Sequence, residues 1–332
     1  MSSVSFDLPV IAVGNLSVGG TGKTPHVEYL VRLLQYEYQV ATMSRGYKRR
    51  TRGFLLADAQ ANALKIGDEP MQYHLKFPEL VVSVAEERMT GIPNLLQRRP
   101  DIDLILLDDA YQHRSVKAGL NILITDYSRP YYKDHILPYG ALRENKTAAA
   151  RADVIIVSKC PPGLDRQQAD AIRAQIAALP HQQVFFSTIR YAQPYDFFSR
   201  EPVSLQGRKV LLVSGIARPE PLLAEVQQQA AEVHLLNYPD HHFFTARNLE
   251  EIRAARANWG NDAVIVTTEK DATRLHLHRA RIQEWGVQLI VLPIAVAFLL
   301  GEQPAFDQLV KQYVHSALPD NELSLPEEPM DG

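Results

Sequence analysis

The sequence predicts an α/β protein: a mainly parallel-sheet domain followed by a second, smaller α/β domain. Three observations carry this. Short β-rich apolar runs alternate with helical patterns; one such run leads through a glycine-rich loop into an amphipathic helix; and 332 residues suit roughly two domains. The runs fall at 10–13, 104–107, 122–125, 154–157, 210–213, 264–267 and 289–292. Most are apolar on both alternating faces, as strands covered on both sides by helices must be. Between the first two runs, Val27, Leu30, Val31 and Leu34 follow i, i+3, i+4, i+7 and predict a helix over 24–35. Residues 191–206, rich in proline and aromatics, break the alternation. A fresh strand then begins at Lys209, which puts the domains at 1–200 and 201–315. The segment 316–332 holds five acids, three prolines and no Lys or Arg, and is expected to be a disordered acidic tail.

Composition excludes several classes. Apolar residues make up 46% and charged residues 22%, so most of the chain can bury a core. The net charge of −3 gives no global attraction to polyanions, and no nucleic-acid partner is expected. Cys160 is the only cysteine, which excludes an intramolecular disulfide and a cysteine-based zinc cluster. The longest apolar stretch, 289–300, is twelve residues interrupted by Pro293. A membrane span needs about 20, so the stretch reads as a buried strand and its continuation. Residues 1–7 lack the basic and apolar regions of a signal peptide.

The first strand runs through Gly14-Asn15-Leu16-Ser17-Val18-Gly19-Gly20-Thr21-Gly22-Lys23-Thr24-Pro25 into the helix. Strand, glycine loop and helix in this order form a P-loop. Gly19, Gly20, Thr21 and Gly22 let backbone N–H groups converge on phosphate oxygens. Lys23 can reach the β- and γ-phosphates, and Thr24 can ligate Mg²⁺. Serine at 17 departs from the general pattern, which has glycine there. Asp108 and Asp109 end an apolar run; at the carboxyl edge of a parallel strand they can hold Mg²⁺ directly or through water.

Together these residues resemble the tetraacyldisaccharide 4′-kinase family. The P-loop carries the resemblance with Ser44-Arg45-Gly46-Tyr47, Gly67-Asp68-Glu69-Pro70, Asp108-Asp109-Ala110-Tyr111-Gln112-His113-Arg114 and Leu142-Arg143-Glu144. Asp240-His241-His242 and Thr268-Glu269-Lys270-Asp271 complete the set in the family's order. Ala110-Tyr111 departs mildly from the family's Gly-Phe.

The resemblance implies a P-loop NTPase-type domain and a second domain with the active site in the cleft between them. It also implies ATP- and Mg²⁺-dependent phosphorylation of the 4′-hydroxyl of tetraacyldisaccharide 1-phosphate to lipid IVA. The enzyme would work on the cytoplasmic face of the bacterial inner membrane, with no obligate protein partner. Asp68 would be the catalytic aspartate that takes the hydroxyl proton. His241, rather than His242, would pair with it across the cleft, and Lys23 completes the catalytic set. Arg45, His113 and Arg143 would face the substrate, and Glu144 would join the metal site. Only eight residues precede Pro9, so membrane attachment is expected to rest on the cleft rim and the basic loop 44–52, and to be weak.

Two other functions share the loop and the acids. One is a P-loop kinase or ligase for a small soluble metabolite. The other is a nucleotide-switched binding protein, in which hydrolysis drives a partner's conformation. Val157-Ser158-Lys159-Cys160-Pro161 lacks the aspartate of a guanine-recognition loop, and Cys160 reads as a bystander.

Overall fold

A computed structural model describes residues 3–260 and 262–318. The first sheet is built from β1 (Val10–Gly14), β2 (Val40–Ser44), β3 (Leu55–Leu56), β4 (Val81–Val84), β5 (Leu104–Asp108), β6 (Leu120–Asp126), β7 (Val154–Ser158) and β8 (Gln183–Tyr191). The second holds β9 (Tyr195–Asp196), β10 (Lys209–Ser214), β11 (Glu232–Asn237), β12 (Val264–Thr268) and β13 (Leu289–Leu292). A last strand, β14 (Ile294–Phe298), returns to the first sheet.

The first sheet runs β14-β8-β7-β6-β1-β5-β2-β4-β3. Its seven inner strands are parallel, and β14 and β3 close the edges antiparallel. Every residue of β1, β5 and β7 is buried, as the doubly apolar runs require. From β1 the chain moves outward to β2 on one side, and from β5 it crosses to β6 on the other. The sheet's winding therefore reverses at β1. In open α/β sheets ligands bind outside the carboxyl ends of strands at such a reversal, and there the P-loop begins. The second sheet runs β11-β10-β12-β13-β9, parallel except for the short edge strand β9.

The boundaries differ from the sequence reading. The second sheet starts at Tyr195, and residues 294–317 belong with the first sheet rather than the second. The single apolar stretch 289–300 is thus two strands in two sheets. Pro293 has no N–H to extend a ladder, and its carbonyl accepts from Ala192 N at 2.9 Å. The outgoing and returning chain segments therefore lie side by side. Phe306, Val310 and Val314 of the Gln303–Ala317 helix pack into the first core. The Tyr313 hydroxyl clasps β1, donating to Val10 O at 3.0 Å and accepting from Val10 N at 3.1 Å. The helix also claims Ser316 and Ala317 from the expected tail, with Leu318 as its C-cap; residues 319–332 lie outside the described residues. Among the described residues no helix is long and apolar enough to cross a membrane.

Candidate active site

The P-loop sits between β1 and the Lys23–Leu34 helix. Gly22 caps that helix with φ 97°, a left-handed conformation that side chains resist. A Cβ there would also stand 2.8 Å from Ser158 Oγ. Burial lowers the His26 imidazole to about 4, so the ring is neutral. Its Nδ1–H donates to Gly22 O at 2.7 Å, which leaves Nε2 to accept from the Ser187 hydroxyl at 2.9 Å. Ser17, the departure from the loop pattern, pairs with Leu142 in an isolated antiparallel bridge. Lys159, at the end of β7, donates to Gly20 O and to Asp126. Nothing in its sequence context beyond the strand end points to this brace.

Asp108 and Asp109 stand beside the loop, and their environments push them apart. Burial, and then the charge of Asp109, raise Asp108 to about 6. Burial would raise Asp109 too, but Lys23 and Arg143 outweigh it and hold that carboxyl below its usual range. Lys23 Nζ lies 3.3 Å from Asp109, and Arg143 3.2 Å. The Tyr73 hydroxyl donates to Asp108 Oδ2 at 2.9 Å, while the buried Oδ1 has no hydrogen-bond partner. Asp109 itself takes the positive φ of 50° in this turn, so alanine fits at 110.

An orphaned buried carboxylate oxygen beside a second acid suits a divalent cation. Among the described residues no set of three or more acidic, histidine or cysteine ligands converges. That pattern fits Mg²⁺, which commonly takes one or two carboxylates and completes its shell with phosphates and water. Glu144, also expected at the metal, is engaged by a cation in this structure. Both its oxygens accept from Arg151, at 3.1 and 3.0 Å, and Arg151 also donates to Tyr111 O. The nearby cation claims the carboxylate for the loop.

Asp68 opens the Asp68–Lys76 helix and is 4% exposed. The preceding Gly67 has φ 97°, and a Cβ on it would meet the Gly46 backbone at 3.1 Å. Only glycine lets the loop after β2 lie against this turn. Across the cleft, His241 Nδ1 comes to 3.2 Å from Asp68 Oδ2. On its far side the ring meets Lys270, with Nζ to Nε2 3.0 Å. An ammonium can only donate, so Nε2 accepts and Nδ1 carries the proton offered to Asp68. Arg274, fully buried, places Nε 3.6 Å from the same carboxylate oxygen. Tyr47 packs edge-on against the His241 ring, centroids 5.7 Å apart. His242 instead stacks on Tyr238 and bonds Asn248 at 3.0 Å, within its own lobe.

A second contact between the lobes was not legible. Lys76 Nζ lies 2.6 Å from Glu28 and 2.6 Å from Glu269, all three largely buried. Gln72 donates to Glu28 at 2.7 Å. Burial, then Glu28, raise the Glu269 carboxyl despite the lysine. In the same motif Thr268 caps the helix, accepting from Asp271 N at 3.0 Å, and Asp271 pairs with Arg274 at 2.9 Å.

The remaining expected residues gather on the same edge. His113 is half-buried; burial, then Arg88 and Arg45, lower it to about 4. Arg45 is exposed, with no hydrogen-bonding or ion-pair partner among the described residues. Arg143 donates to Asp109 and Gln112. Arg49 of the basic loop is structural: it ion-pairs with Glu86 at 2.6 Å and is almost wholly covered.

Comparison with known proteins agrees with this architecture. The family described as Tetraacyldisaccharide-1-P 4'-kinase (LpxK) matches residues 1–315. A Tetraacyldisaccharide 4'-kinase of Bacteroides thetaiotaomicron is 43% identical over 328 residues, covering 95% of this chain and 86% of the relative. That of Flavobacterium johnsoniae is 44% identical over 322 residues, covering 96% and 91%. The crystal structure of "apo" form LpxK from Aquifex aeolicus in complex with ATP is similar with TM-score 0.71 and 26% identity. It covers 95% of this chain and 91% of its own. On sequence and fold alike, this chain belongs to the tetraacyldisaccharide-1-P 4'-kinase family.

Proposed function

We propose that this chain transfers the γ-phosphoryl group of ATP to the 4′-hydroxyl of tetraacyldisaccharide 1-phosphate, giving lipid IVA in lipid A biosynthesis. The observation that carries the reading is the 3.2 Å contact between Asp68 and His241, made by two lobes on the helix whose Tyr73 also holds Asp108. It joins a proton acceptor to the phosphate-binding edge.

Phosphoryl transfer asks the protein mainly for positioning and charge. Gly19, Gly20, Thr21 and Gly22 cradle the phosphates with backbone N–H groups. Lys23, parked on Asp109, turns to the β- and γ-oxygens when nucleotide arrives. Thr24, Asp108 and Asp109 would hold Mg²⁺, which when bound would supply charge neutralisation. Asp68 orients the attacking hydroxyl and takes its proton, while His241, fixed by Lys270, holds the carboxylate in place. Arg45, His113 and Arg143 border the acceptor, with Arg45, which has no ion-pair partner among the described residues, a cation for its anionic phosphate. The acceptor is a lipid, so the enzyme works on a membrane surface, the cytoplasmic face of the inner membrane, as a peripheral protein.

The test is transfer of label from γ-labelled ATP, with Mg²⁺ and the disaccharide 1-phosphate in detergent. Label in the organic-extractable lipid is expected. Label released only as free phosphate would favour a nucleotide switch and overturn the kinase reading. Label passing to a soluble acceptor instead would favour a metabolite kinase.

A further inference from the structure

Outside the catalytic residues, four exposed large apolar side chains gather at one place. In the loop after β6, Ile136 is 44% exposed, Leu137 50% and Tyr139 93%. Val18 of the P-loop is 43% exposed. The two loops form one unit: Val18 N donates to Ala141 O at 2.8 Å, and Arg143 N to Leu16 O at 2.7 Å.

The tip is held firmly. Leu137 N donates to Leu142 O at 3.0 Å and Gly140 N to Ile136 O at 3.2 Å. Beneath them the buried Asp134 accepts from His135 N at 2.8 Å and Ala141 N at 3.2 Å, and pairs with Arg129 at 2.9 Å. The polar group is inside and the apolar groups are outside, the reverse of what water alone selects. Such a patch marks a surface that meets something apolar.

Charge on the same edge says what. Lys133 and Lys146 flank the tip and are exposed. The loop after β2 adds the exposed Arg45, Lys48, Arg50 and Arg52. Strands β1, β2 and β6 lie in the parallel part of one sheet, so the loops at their carboxyl ends share one edge. A convex apolar tip crowned by tyrosine and surrounded by cations complements the headgroup–acyl boundary of an anionic bilayer.

We propose that the 136–139 tip dips into the boundary of an anionic lipid bilayer and turns the phosphate-binding edge of the first sheet toward it. This deepens, and rests on, the lipid-acceptor reading. It gives the P-loop, and not only the basic loop, a fixed orientation to the membrane.

The experiment uses the full chain and vesicles of phosphatidylglycerol and phosphatidylcholine without the disaccharide. Ile136→Ser/Leu137→Ser/Tyr139→Ser should lower vesicle partitioning about tenfold or more, most plainly at high salt, where the lysine contribution is screened. Should that variant fail to fold, Tyr139→Trp serves alone. Lipids brominated in the acyl chain should quench its added fluorescence beyond that of the parent chain, which carries Trp259 and Trp285. Quenching equal to the parent's, or undiminished partitioning of the triple variant, overturns the proposal. So does a Tyr139→Trp signal that follows protein concentration instead of lipid, because the tip would then bind a second copy. Acyl-chain quenching in a chain that fails the kinase assay supports the surface while removing the acceptor reading.

Discussion

Replacing Asp108 with asparagine should make the nucleotide-free protein more stable while abolishing phosphoryl transfer. Burial raises this carboxyl from 3.8 to about 6, and its Oδ1 has no partner. Folding therefore penalises the charged form. At 1.36 kcal/mol per pH unit, the gap from 3.8 to about 6 corresponds to about 3 kcal/mol. The sign follows from proton binding. Below 3.8 the carboxyl is neutral in both states and the penalty is absent. As pH rises toward about 6 the unfolded chain has released its proton and the folded chain has not, so wild-type stability falls. Above about 6 the full penalty persists. Asparagine never ionises and keeps its acceptor for Tyr73. Urea unfolding of Asp108→Asn and wild type across this range should show a gain of about 2–3 kcal/mol at pH 8 that vanishes near pH 4. Mg²⁺ with nucleotide should then stabilise the wild type more than the variant. A gain that does not change with pH, or no gain at all, refutes the idea that Asp108 is a charge kept waiting for a cation.

Asp68→Asn should cut kcat by about 10²–10⁴ with little change in KM for ATP, since Asp68 contacts none of the P-loop; steady-state kinetics with the lipid acceptor decides it. Lys76→Met should destabilise the fold by about 3–5 kcal/mol, because Glu28 and Glu269 would be left buried and facing each other. Burial and Glu28 already raise Glu269, so this loss should deepen as pH rises through its folded value, as read by thermal unfolding across pH. Cys160 is buried and its thiol is raised to about 12, chiefly by burial. Native protein at pH 8 should resist iodoacetamide, and Cys160→Ala should retain kinase activity in the same assay.

The sequence made the phosphate-binding edge legible because its parts are contiguous. Strand, loop and helix lie within residues 10–34, and the two acids end an apolar run. Asp68 and His241 are 173 residues apart, and only a family's ordered motifs could pair them. Arg274 and Lys76 were silent for a physical reason: each looks like an ordinary charge on an amphipathic helix. Their importance arises only when the fold buries each beside a carboxylate of the other lobe. The pairing of Glu144 with Arg151 was hidden too, because a motif fixes neighbours along the chain but not which cation reaches a carboxylate. The return of β14 was hidden since apolar alternation shows that a strand is buried, not in which sheet.

The two lobe contacts have a common origin that bears on how closure works. Asp68 and Lys76 are the first and last residues of one helix belonging to the first lobe. Their partners, His241 with Lys270 and Glu269, belong to the second, and Lys270 and Glu269 are adjacent at the start of one short helix. Glu269 Oε2 also accepts from Ile294 N at 3.3 Å, where the chain re-enters the first sheet. One end of the Asp68–Lys76 helix thus carries the carboxylate proposed to accept the proton, and the other is tied through Glu269 to the segment that returns to the first sheet. Separating the lobes would strip Asp68 of His241 and expose the Lys76 cluster together. On the proposed mechanism, an enzyme built this way would assemble its base only with the lobes closed, which would limit phosphoryl transfer to water while the cleft stood open.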